Sequence, residues 1–331
     1  MENLLLLKLV KKIWRNILKD KLVVITGPTA SGKSDIAINI AKYLDSSVIS
    51  ADSQQVYRDM DIGTNKTYNF EVDHYMINIV DPDQNYSVED FSTEAKSIVR
   101  DINYNLRIPI IAGGTGFYID SLLFDMNYGN VKKDKNYRRE LENLAKAKGN
   151  QYLYEKLRLL DPITANRYHP NELNRIIRSL EIHHVSGKLP SDIRIGERKL
   201  NQNIEPIIFF LNYNNRDLLY DKINDRVLKM IDEGLVSEVE SLIKIYNLDK
   251  NSQSMAAIGY KEVLEYINGS ISGDEMINLI QRNTRRYAKR QITWMKKYLK
   301  YGFGHEIMMD NLNKNDASDI ILDIIKGAYE L

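Results

Sequence analysis

The segment from Gly27 to Ser34 reads GPTASGKS and matches the phosphate-binding pattern G-x-x-x-x-G-K-[ST]. Its glycines allow backbone N–H groups to turn toward phosphate oxygens, and the N-terminus of a following helix adds partial positive charge. Lys33 would neutralise the terminal phosphate, and Ser34 would offer its hydroxyl to Mg²⁺. The motif predicts that a phosphate compound binds here without saying which one. The predicted phosphate contacts are Gly27, Pro28, Thr29, Ala30, Ser31, Gly32, Lys33 and Ser34.

Asp52 is the second residue with chemical potential, because it directly follows the short apolar run Val48–Ala51. A carboxylate at the end of a strand, facing the phosphate loop, suits a general base or a ligand of metal-bound water. An N-cap for the next segment is the alternative.

Other sequence motifs of ATP- and GTP-binding proteins are missing. The apolar run Ile108–Ala112 ends in glycines and not in an acidic residue, and Asn65–Tyr68 lacks the Asp of a guanine-reading N-K-x-D motif.

A strongly basic segment lies between Met276 and Lys300, which contains no Asp or Glu although the whole chain has a net charge of only +1. Such a local asymmetry indicates an RNA-binding patch, and a solvated helix face is the alternative. Tyr287, Trp294 and Tyr298 could stack on unpaired bases, with core packing as the competing interpretation for Trp294. The positive residues are Arg282, Arg285, Arg286, Lys289, Arg290, Lys296, Lys297 and Lys300.

The elements that must position these residues have the pattern of a parallel α/β sheet. Continuous apolar runs, bounded by turn residues and alternating with helical patterns, are typical of strands buried on both faces. The predicted strands are Leu22–Thr26, Val48–Ser50, Ile108–Ala112 and Pro206–Leu211, and Asp35–Leu44 is predicted to be a helix. The fold class is therefore α/β, a P-loop NTPase-like parallel sheet flanked by helices.

A polar, helix-rich stretch interrupts this core and predicts a helical insertion domain at residues 125–199, with helices over 138–147, 152–160 and 173–185. The core then comprises residues 21–124 and 200–331, and everything from Arg216 onward is predicted to be helical. Residues 1–20 are predicted to be an amphipathic N-terminal extension, since their apolar residues recur at helical spacing.

Composition excludes several classes of function. The 331 residues include no Cys, which rules out disulfides, thiolate zinc sites, iron–sulfur clusters and a cysteine nucleophile, and which fits a reducing cytoplasm. No segment reaches the length of an apolar membrane span. We expect a cytoplasmic protein, monomeric and without a membrane partner.

Several longer motifs resemble the tRNA dimethylallyltransferase family, bacterial type. The ordered matches run from about Leu22 to Lys300, and most of them are not implied by a phosphate loop. They are the phosphate loop itself, Asp52–Lys66, Asp81–Pro82, Tyr86–Phe91, Gly113–Tyr118, Asp161–Arg167, His169–Asn171, Arg175–Arg178, Leu180–Glu181, Arg226–Val227 with Met230, Gly234–Leu235, Ile258–Glu262 and Thr284–Trp294.

The resemblance implies transfer of a dimethylallyl group from dimethylallyl diphosphate to N6 of the adenosine next to the anticodon, position 37, in tRNAs that read codons beginning with U. The loop would then hold the diphosphate of this prenyl donor. Asp52 would accept the proton of a poorly nucleophilic amine. Lys33, Arg226 and Mg²⁺ at Ser34 would stabilise the departing diphosphate.

The resemblance also implies contacts with tRNA, and two of the arginines, Arg175 and Arg178, lie three residues apart on one predicted helix. Adding the basic segment, the expected tRNA contacts are Asp52, Ser53, Gln54, Gln55, Thr115, Arg138, Asn174, Arg175, Ile176, Ile177, Arg178, Arg282, Arg285, Arg286, Lys289 and Arg290. The chain departs from the family pattern at His74, which stands alone where two adjacent His are usual, and around Met255, where a polar or basic residue is usual.

Two other functions share the phosphate loop. A P-loop nucleotide kinase could use the arginine-rich helix as a lid over its phosphates. A non-catalytic RNA-binding protein could retain the loop without using it. Prenyl transfer to tRNA, phosphoryl transfer to a small nucleotide, and RNA binding without a product distinguish the three.

Overall fold

The computed structural model describes residues 19–67, 71–126, 131–193 and 198–331, and it divides the chain into two compact units. The first unit comprises Met1–Leu123 and Asn201–Leu331, and the second comprises Phe124–Leu200. The second unit extends one residue beyond the predicted insertion at each end. The predicted N-terminal extension lies outside the described residues up to position 18, and Asp20 already belongs to the first strand.

The helices and strands are as follows. The strands are β1 (Asp20–Thr26), β2 (Val48–Ser50), β3 (His74–Tyr75), β4 (Ile110–Gly113), β5 (Phe124–Met126), β6 (Arg198–Leu200), β7 (Ile204–Asn212) and β8 (Gly304–Met308). The α-helices are α1 (Lys33–Tyr43), α2 (Val88–Tyr104), α3 (Gly116–Leu123), α4 (Lys135–Lys148), α5 (Asn150–Leu160), α6 (Pro162–Ala165), α7 (Leu173–Ser186), α8 (Arg216–Asp232), α9 (Leu235–Tyr246), α10 (Tyr260–Ile267), α11 (Gly273–Met295) and α12 (Lys314–Tyr329).

The first unit is built on a six-stranded sheet in the order β3-β2-β4-β1-β7-β8. Every neighbouring pair is parallel, and the central strand β1 is almost fully buried from Leu22 onward. The apolar runs therefore behave as predicted, because strands covered on both faces cannot alternate with polar residues. The sheet confirms the predicted α/β class.

Two strands at the edges of this sheet were not predicted. β3 has only two residues, and β8 contradicts the expectation that everything after Arg216 is helical. β8 reads GHEIM and is only partly buried, as an edge strand is. A five-residue strand with one fully buried position carries almost no periodic signal, so its pairing with β7 decides its conformation.

The carboxyl ends of the parallel strands meet along one edge of the sheet. The phosphate loop follows β1, Asp52 follows β2, and Gly114 and Thr115 follow β4. Loops at this edge are where open α/β sheets bind their ligands. The topology therefore brings together chain segments that are far apart in sequence.

The second unit packs α4, α5, α6 and α7 around a small apolar core, which includes Leu141, Leu153, Leu157, Ile176, Ile177 and Leu180. α4, α5 and α7 overlap the three predicted helices and are slightly longer, whereas the short α6 was not predicted. An antiparallel pair, β5 with β6, lies where the chain enters and leaves this unit and was not predicted.

Candidate active site

The phosphate loop adopts a backbone that its glycines make possible. Gly32 has a φ of 83° and directly precedes α1, a conformation that residues with a Cβ rarely adopt. At Gly27 a Cβ would lie 2.6 Å from the carbonyl oxygen of Leu211 in β7. The loop thus packs against the neighbouring strand and leads directly into α1. The hydroxyl of Ser31 is buried in it with no hydrogen-bond partner among the described residues.

Lys33 stands at the first position of α1, and its Nζ donates to the carbonyl oxygen of Pro28 at 2.7 Å. Burial first and the positive charge of Arg226 second lower the pKa of Lys33 to about 7, although the negative charge of Asp52 acts in the opposite direction. An amine with this pKa gains its proton readily when an anion arrives. Lys33 is therefore placed to neutralise a bound phosphate.

Arg226 reaches the same loop from α8, where its Nη1 donates to the hydroxyl oxygen of Thr29 at 2.8 Å. Burial lowers the pKa of Arg226, and the nearby carboxylate of Asp52 counteracts this. The side chain is thus directed into the site and is not part of a salt-bridged helix surface. It brings a second cation to the loop from a helix about two hundred residues further along the chain.

Asp52 begins a turn after β2 and not a helix, so it is not a helix N-cap, although its side chain does cap this turn. Its Oδ1 accepts from the backbone N–H of Gln54 at 2.9 Å. The same carboxylate also influences Tyr287 of α11. Burial raises the pKa of the Tyr287 phenol, and the negative charge of Asp52 raises it as well. The half-buried carboxylate therefore lies among Lys33, Arg226 and Tyr287, in a position that suits a base.

Two cavities meet at these residues. The smaller, about 270 Å³, has a polar side formed by Thr29, Asp52, Arg226 and Arg290. Its other side is apolar and mostly buried, and consists of Val227, Met230, Ala257, Tyr260 and Ile280. The larger, about 890 Å³, covers the outer side of the phosphate loop and includes Lys33, Ser34, Lys222 and Lys314. Arg226 lines both, so a phosphate on the loop and an apolar group beside Asp52 can belong to one ligand.

The other residues expected to contact a nucleotide near Asp52 fall into two groups. Ser53 and Thr115 are joined by a hydrogen bond from the Ser53 N–H to the Thr115 hydroxyl oxygen at 3.0 Å. Gln54 lines the smaller cavity, and its buried Oε1 has no partner among the described residues. Gln55 instead accepts from the Ser50 hydroxyl at 2.8 Å and donates to the Thr64 carbonyl at 3.2 Å, so its side chain supports the loop.

One wall of the smaller cavity, which includes Gly63 and Tyr260, is held by a residue that the sequence did not reveal. The carboxylate of Glu238 accepts from the backbone N–H groups of Asp61, Ile62 and Gly63, at 2.8, 2.7 and 3.2 Å, and from the Tyr260 hydroxyl at 2.6 Å. Gly63 is required here, since a Cβ would lie 2.4 Å from the Tyr260 ring. Tyr260 lies in the Ile258–Glu262 motif, but nothing in the sequence marked Glu238 as its partner.

The basic segment forms α11 and the 3-10 turn after it, and its cations are not equivalent. Arg282, Arg286, Lys289 and Arg290 are exposed on α11. Arg285 is half-buried and donates to the side-chain oxygen of Asn224 at 2.5 Å. The exposed residues recur at helical spacing and present one face to solvent.

Two members of the basic segment bind a buried carboxylate instead. Lys297 pairs with the buried Asp120 at 2.6 Å, and the Tyr298 hydroxyl donates to the same carboxylate at 2.6 Å. Tyr298 is fully buried. The expectation that it could stack on RNA bases was wrong, because a buried carboxylate needs both donors.

In the second unit, two of the three arginines expected to contact tRNA converge on a buried carboxylate. Arg138 makes a bidentate pair with Glu181 at 2.7 and 2.8 Å, and Arg178 donates to the same group at 2.6 Å. Burial by itself raises the pKa of Glu181, but these hydrogen bonds outweigh it and leave the pKa below its ordinary value. Arg175 and Asn174 remain exposed, with Arg175 paired to Glu172.

Ile176 and Ile177 are the clearest correction in this unit. Both are almost fully buried in the core of the helical bundle. Their side chains therefore cannot contact tRNA. Asn174 and Arg175, which directly precede them, are exposed, because α7 is amphipathic and only one of its faces is turned to the core.

The donor set at Ser34 fits a magnesium ion that is held mainly by a substrate. Across the described ranges, no group of three or more His, Asp or Glu side chains could hold a metal. Ser34 lines the larger cavity beside Lys33 and offers a single hydroxyl. Mg²⁺ keeps several waters and is commonly bound through one or two protein oxygens together with phosphate oxygens.

Among the described residues, no helix is long and apolar enough to cross a membrane.

Comparison with known proteins gives consistent matches along the chain. A family model described as IPP transferase matches residues 55–298, and another described as isopentenyl transferase matches residues 20–79. A tRNA dimethylallyltransferase of Thermoanaerobacter sp. (strain X514) is 47% identical over 283 residues, which cover 84% of this chain and 89% of the relative. That of Bacillus anthracis is 39% identical over 317 residues, covering 95% of this chain and 98% of the relative.

Solved structures agree with these matches. A tRNA isopentenylpyrophosphate transferase of Bacillus halodurans superposes with a TM-score of 0.68 at 38% identity, covering 94% of this chain and 97% of that one. A eukaryotic dimethylallyltransferase, captured acting on tRNA, superposes with a TM-score of 0.76 at 29% identity, covering 93% of this chain and 80% of that one.

Proposed function

Because this chain belongs to the tRNA dimethylallyltransferase family, we propose that it transfers the dimethylallyl group of dimethylallyl diphosphate to tRNA. The acceptor is N6 of the adenosine at position 37, next to the anticodon, in tRNAs that read codons beginning with U. The products are N6-isopentenyladenosine and diphosphate. The cysteine-free chain fits action in a reducing cytoplasm, and we propose that it acts there as a monomer.

One observation supports this reaction above the others. Arg226 contacts Thr29 of the phosphate loop and lines both cavities, so it connects a phosphate-binding site with the apolar cavity beside Asp52. A prenyl diphosphate has this same division into an anionic head and a small apolar tail. A nucleotide kinase would need no apolar cavity beside its carboxylate, and the relatives do not favour that alternative.

The transfer forms a bond between adenine N6 and C1 of the prenyl group while the C1–O bond to the diphosphate breaks. The N6 proton passes to the carboxylate of Asp52, which compensates for the weak nucleophilicity of an amine conjugated with the ring. Negative charge grows on the diphosphate at the same time. Lys33 and Arg226 lie where they can stabilise it.

Magnesium is the cofactor that we propose for this step. Ser34 would hold it, and the ion would supply further positive charge to the diphosphate oxygens. The rest of the charge stabilisation comes from Lys33 and Arg226.

The tRNA contacts that we propose are exposed cations, four on α11 and one on the second unit. The exposed face of α11 carries Arg282, Arg286, Lys289 and Arg290, and Arg290 also lines the smaller cavity. Arg175 provides an exposed cation on the second unit. The target base must leave its stack to reach Asp52, which costs a few kcal/mol, and Ser53, Gln54 and Thr115 would receive it.

The test is incubation of the protein with labelled dimethylallyl diphosphate, Mg²⁺ and an unmodified tRNA. We expect label in the RNA, and none when position 37 carries a different base. Turnover of ATP on a small nucleotide without tRNA would indicate a kinase. RNA binding without either product would indicate a non-catalytic binder.

A further inference from the structure

Gln291 of α11 connects two loops of the active site, although its side chain carries no charge. Its Oε1 accepts from the backbone N–H of Thr29 at 2.8 Å, and its Nε2 donates to the carbonyl oxygen of Gly114 at 3.1 Å. The residue is 5% exposed. A buried amide whose two ends bind backbone groups of two different loops fixes the distance between those loops.

The contact with Thr29 extends to the catalytic cation. While Gln291 holds the Thr29 backbone, the Thr29 hydroxyl accepts from Arg226 at 2.8 Å. The chain of hydrogen bonds is therefore Gln291 to Thr29 to Arg226. A change at Gln291 alters where Arg226 meets the phosphate loop, although the two side chains need not touch.

At the other end of the Gln291 amide, the contact with Gly114 leaves no space for a side chain at position 114. A Cβ at position 114 would lie 2.1 Å from the Gln291 Nε2. Any larger residue must therefore displace the amide. Glycine is needed here for this close approach and not for an unusual backbone angle.

One helical turn before Gln291, Tyr287 contacts the remaining part of the site. Burial and the charge of Asp52 raise the pKa of Tyr287, whereas hydrogen bonds with Thr115 and Gln291 act in the opposite direction. Thr115 in turn accepts from the Ser53 N–H. The inner face of α11 thus contacts the loops that follow β1, β2 and β4, while its outer face carries the exposed arginines.

We propose that Gln291 is a positioning residue for the diphosphate, which sets the Thr29–Arg226 contact from the RNA-facing helix. This inference deepens the proposed function and rests on it for the identity of the substrate. The binding of inorganic diphosphate tests the positioning separately from catalysis. Gln291 does not itself contact the reacting atoms.

The first experiment compares Gln291→Met with Gln281→Met, a matched control on the same helix whose side chain contacts the carbonyl of Asn224 at 3.4 Å. For Gln291→Met we expect weaker binding of inorganic diphosphate with Mg²⁺ by calorimetry, by about 5- to 30-fold, the factor that one to two kcal/mol gives. The KM for dimethylallyl diphosphate should rise similarly. The affinity for tRNA should stay unchanged in Gln291→Met, and all three quantities should stay unchanged in Gln281→Met.

The second experiment begins with a change that displaces the glutamine without replacing it. Gly114→Ala should weaken diphosphate binding because the new Cβ displaces the Gln291 amide. In the double variant with Gln291→Ala there is no longer an amide to displace. Gln291→Ala should therefore reduce the affinity for diphosphate less in the Gly114→Ala background than in the original chain. A double-mutant cycle measures this non-additivity. Thermal unfolding verifies that each variant is folded.

The possible outcomes are distinct. Unchanged diphosphate affinity in Gln291→Met, or strictly additive effects of the two changes, would overturn the positioning role. Equal losses of tRNA and diphosphate affinity would also overturn it, because they indicate a disrupted helix. If the original chain binds diphosphate but transfers no prenyl group, the proposed function fails while the binding comparison still decides the role of Gln291.

Discussion

Arg138 and Glu181 form a bidentate ion pair, with N–O distances of 2.7 and 2.8 Å, in which the carboxylate is fully buried. Arg178 donates to the same carboxylate from the other side. Two arginines that the family resemblance assigns to RNA contact thus also neutralise an internal charge. Of the three arginines of this unit that are expected to contact tRNA, Arg138 and Arg178 therefore bind an internal carboxylate, whereas Arg175 is exposed.

Replacing Glu181 by Ala should destabilise the protein by about 3 kcal/mol, the lower end for breaking a buried pair, because both arginines keep some contact with water. The pKa of Glu181 is lowered in the folded state. Its stabilisation is therefore present above the ordinary carboxyl value of 4.5 and is lost as the pH falls through the lowered pKa. Denaturant unfolding of both proteins at a series of pH values measures the difference in their free energy of unfolding. Equal stability of the variant and the original chain at neutral pH would contradict it. Glu172→Ala, which removes an exposed pair, is the control.

Asp52→Asn should reduce prenyl transfer by about 10²- to 10⁴-fold, the usual contribution of a general base. The amide oxygen can still accept from Gln54, so the turn should persist. Affinity for tRNA, measured by filter binding, should be retained. Asp83→Asn, at an exposed carboxylate, serves as control. Transfer at the original rate would show that Asp52 is not the base.

Diphosphate binding should depend on pH through Lys33, whose pKa is lowered to about 7. Above that pH the free amine is mostly neutral, and a bound anion raises its pKa, so binding takes up a proton and the affinity falls as the pH rises. Calorimetry at about pH 8.5 in buffers of different ionisation enthalpy counts this proton. Lys33→Arg keeps the charge without titrating and should show less uptake. Identical uptake in both proteins would rule out Lys33 as the titrating group.

Charges on the outer face of α11 should set the salt dependence of tRNA binding. Replacing Arg286 and Lys289 with Gln should reduce the slope of log K against log salt by about one for each phosphate that the protein no longer neutralises. Arg285→Gln should change the slope less, since its guanidinium is held by Asn224. A slope unaffected by the double change would remove this face from the interface.

Local sequence was informative wherever function depends on a contiguous segment. The phosphate loop needs glycines, Lys33 and Ser34 at fixed spacing between a strand and a helix, so eight residues sufficed to place it. The buried strands β1, β4 and β7 were likewise visible as apolar runs. The short edge strand β8 was not, because its conformation comes from pairing with β7.

The sequence by itself determined the parallel α/β core, the phosphate loop, the basic helix and, through its ordered motifs, the family. Tertiary structure decided which cations on that helix face solvent, which arginines neutralise Glu181, and that Gln291 and Glu238 hold the loops of the site. The reason is physical. Periodicity and motifs record what a residue shares with its chain neighbours, whereas the partner of a buried polar group lies on another element and depends on how the elements pack.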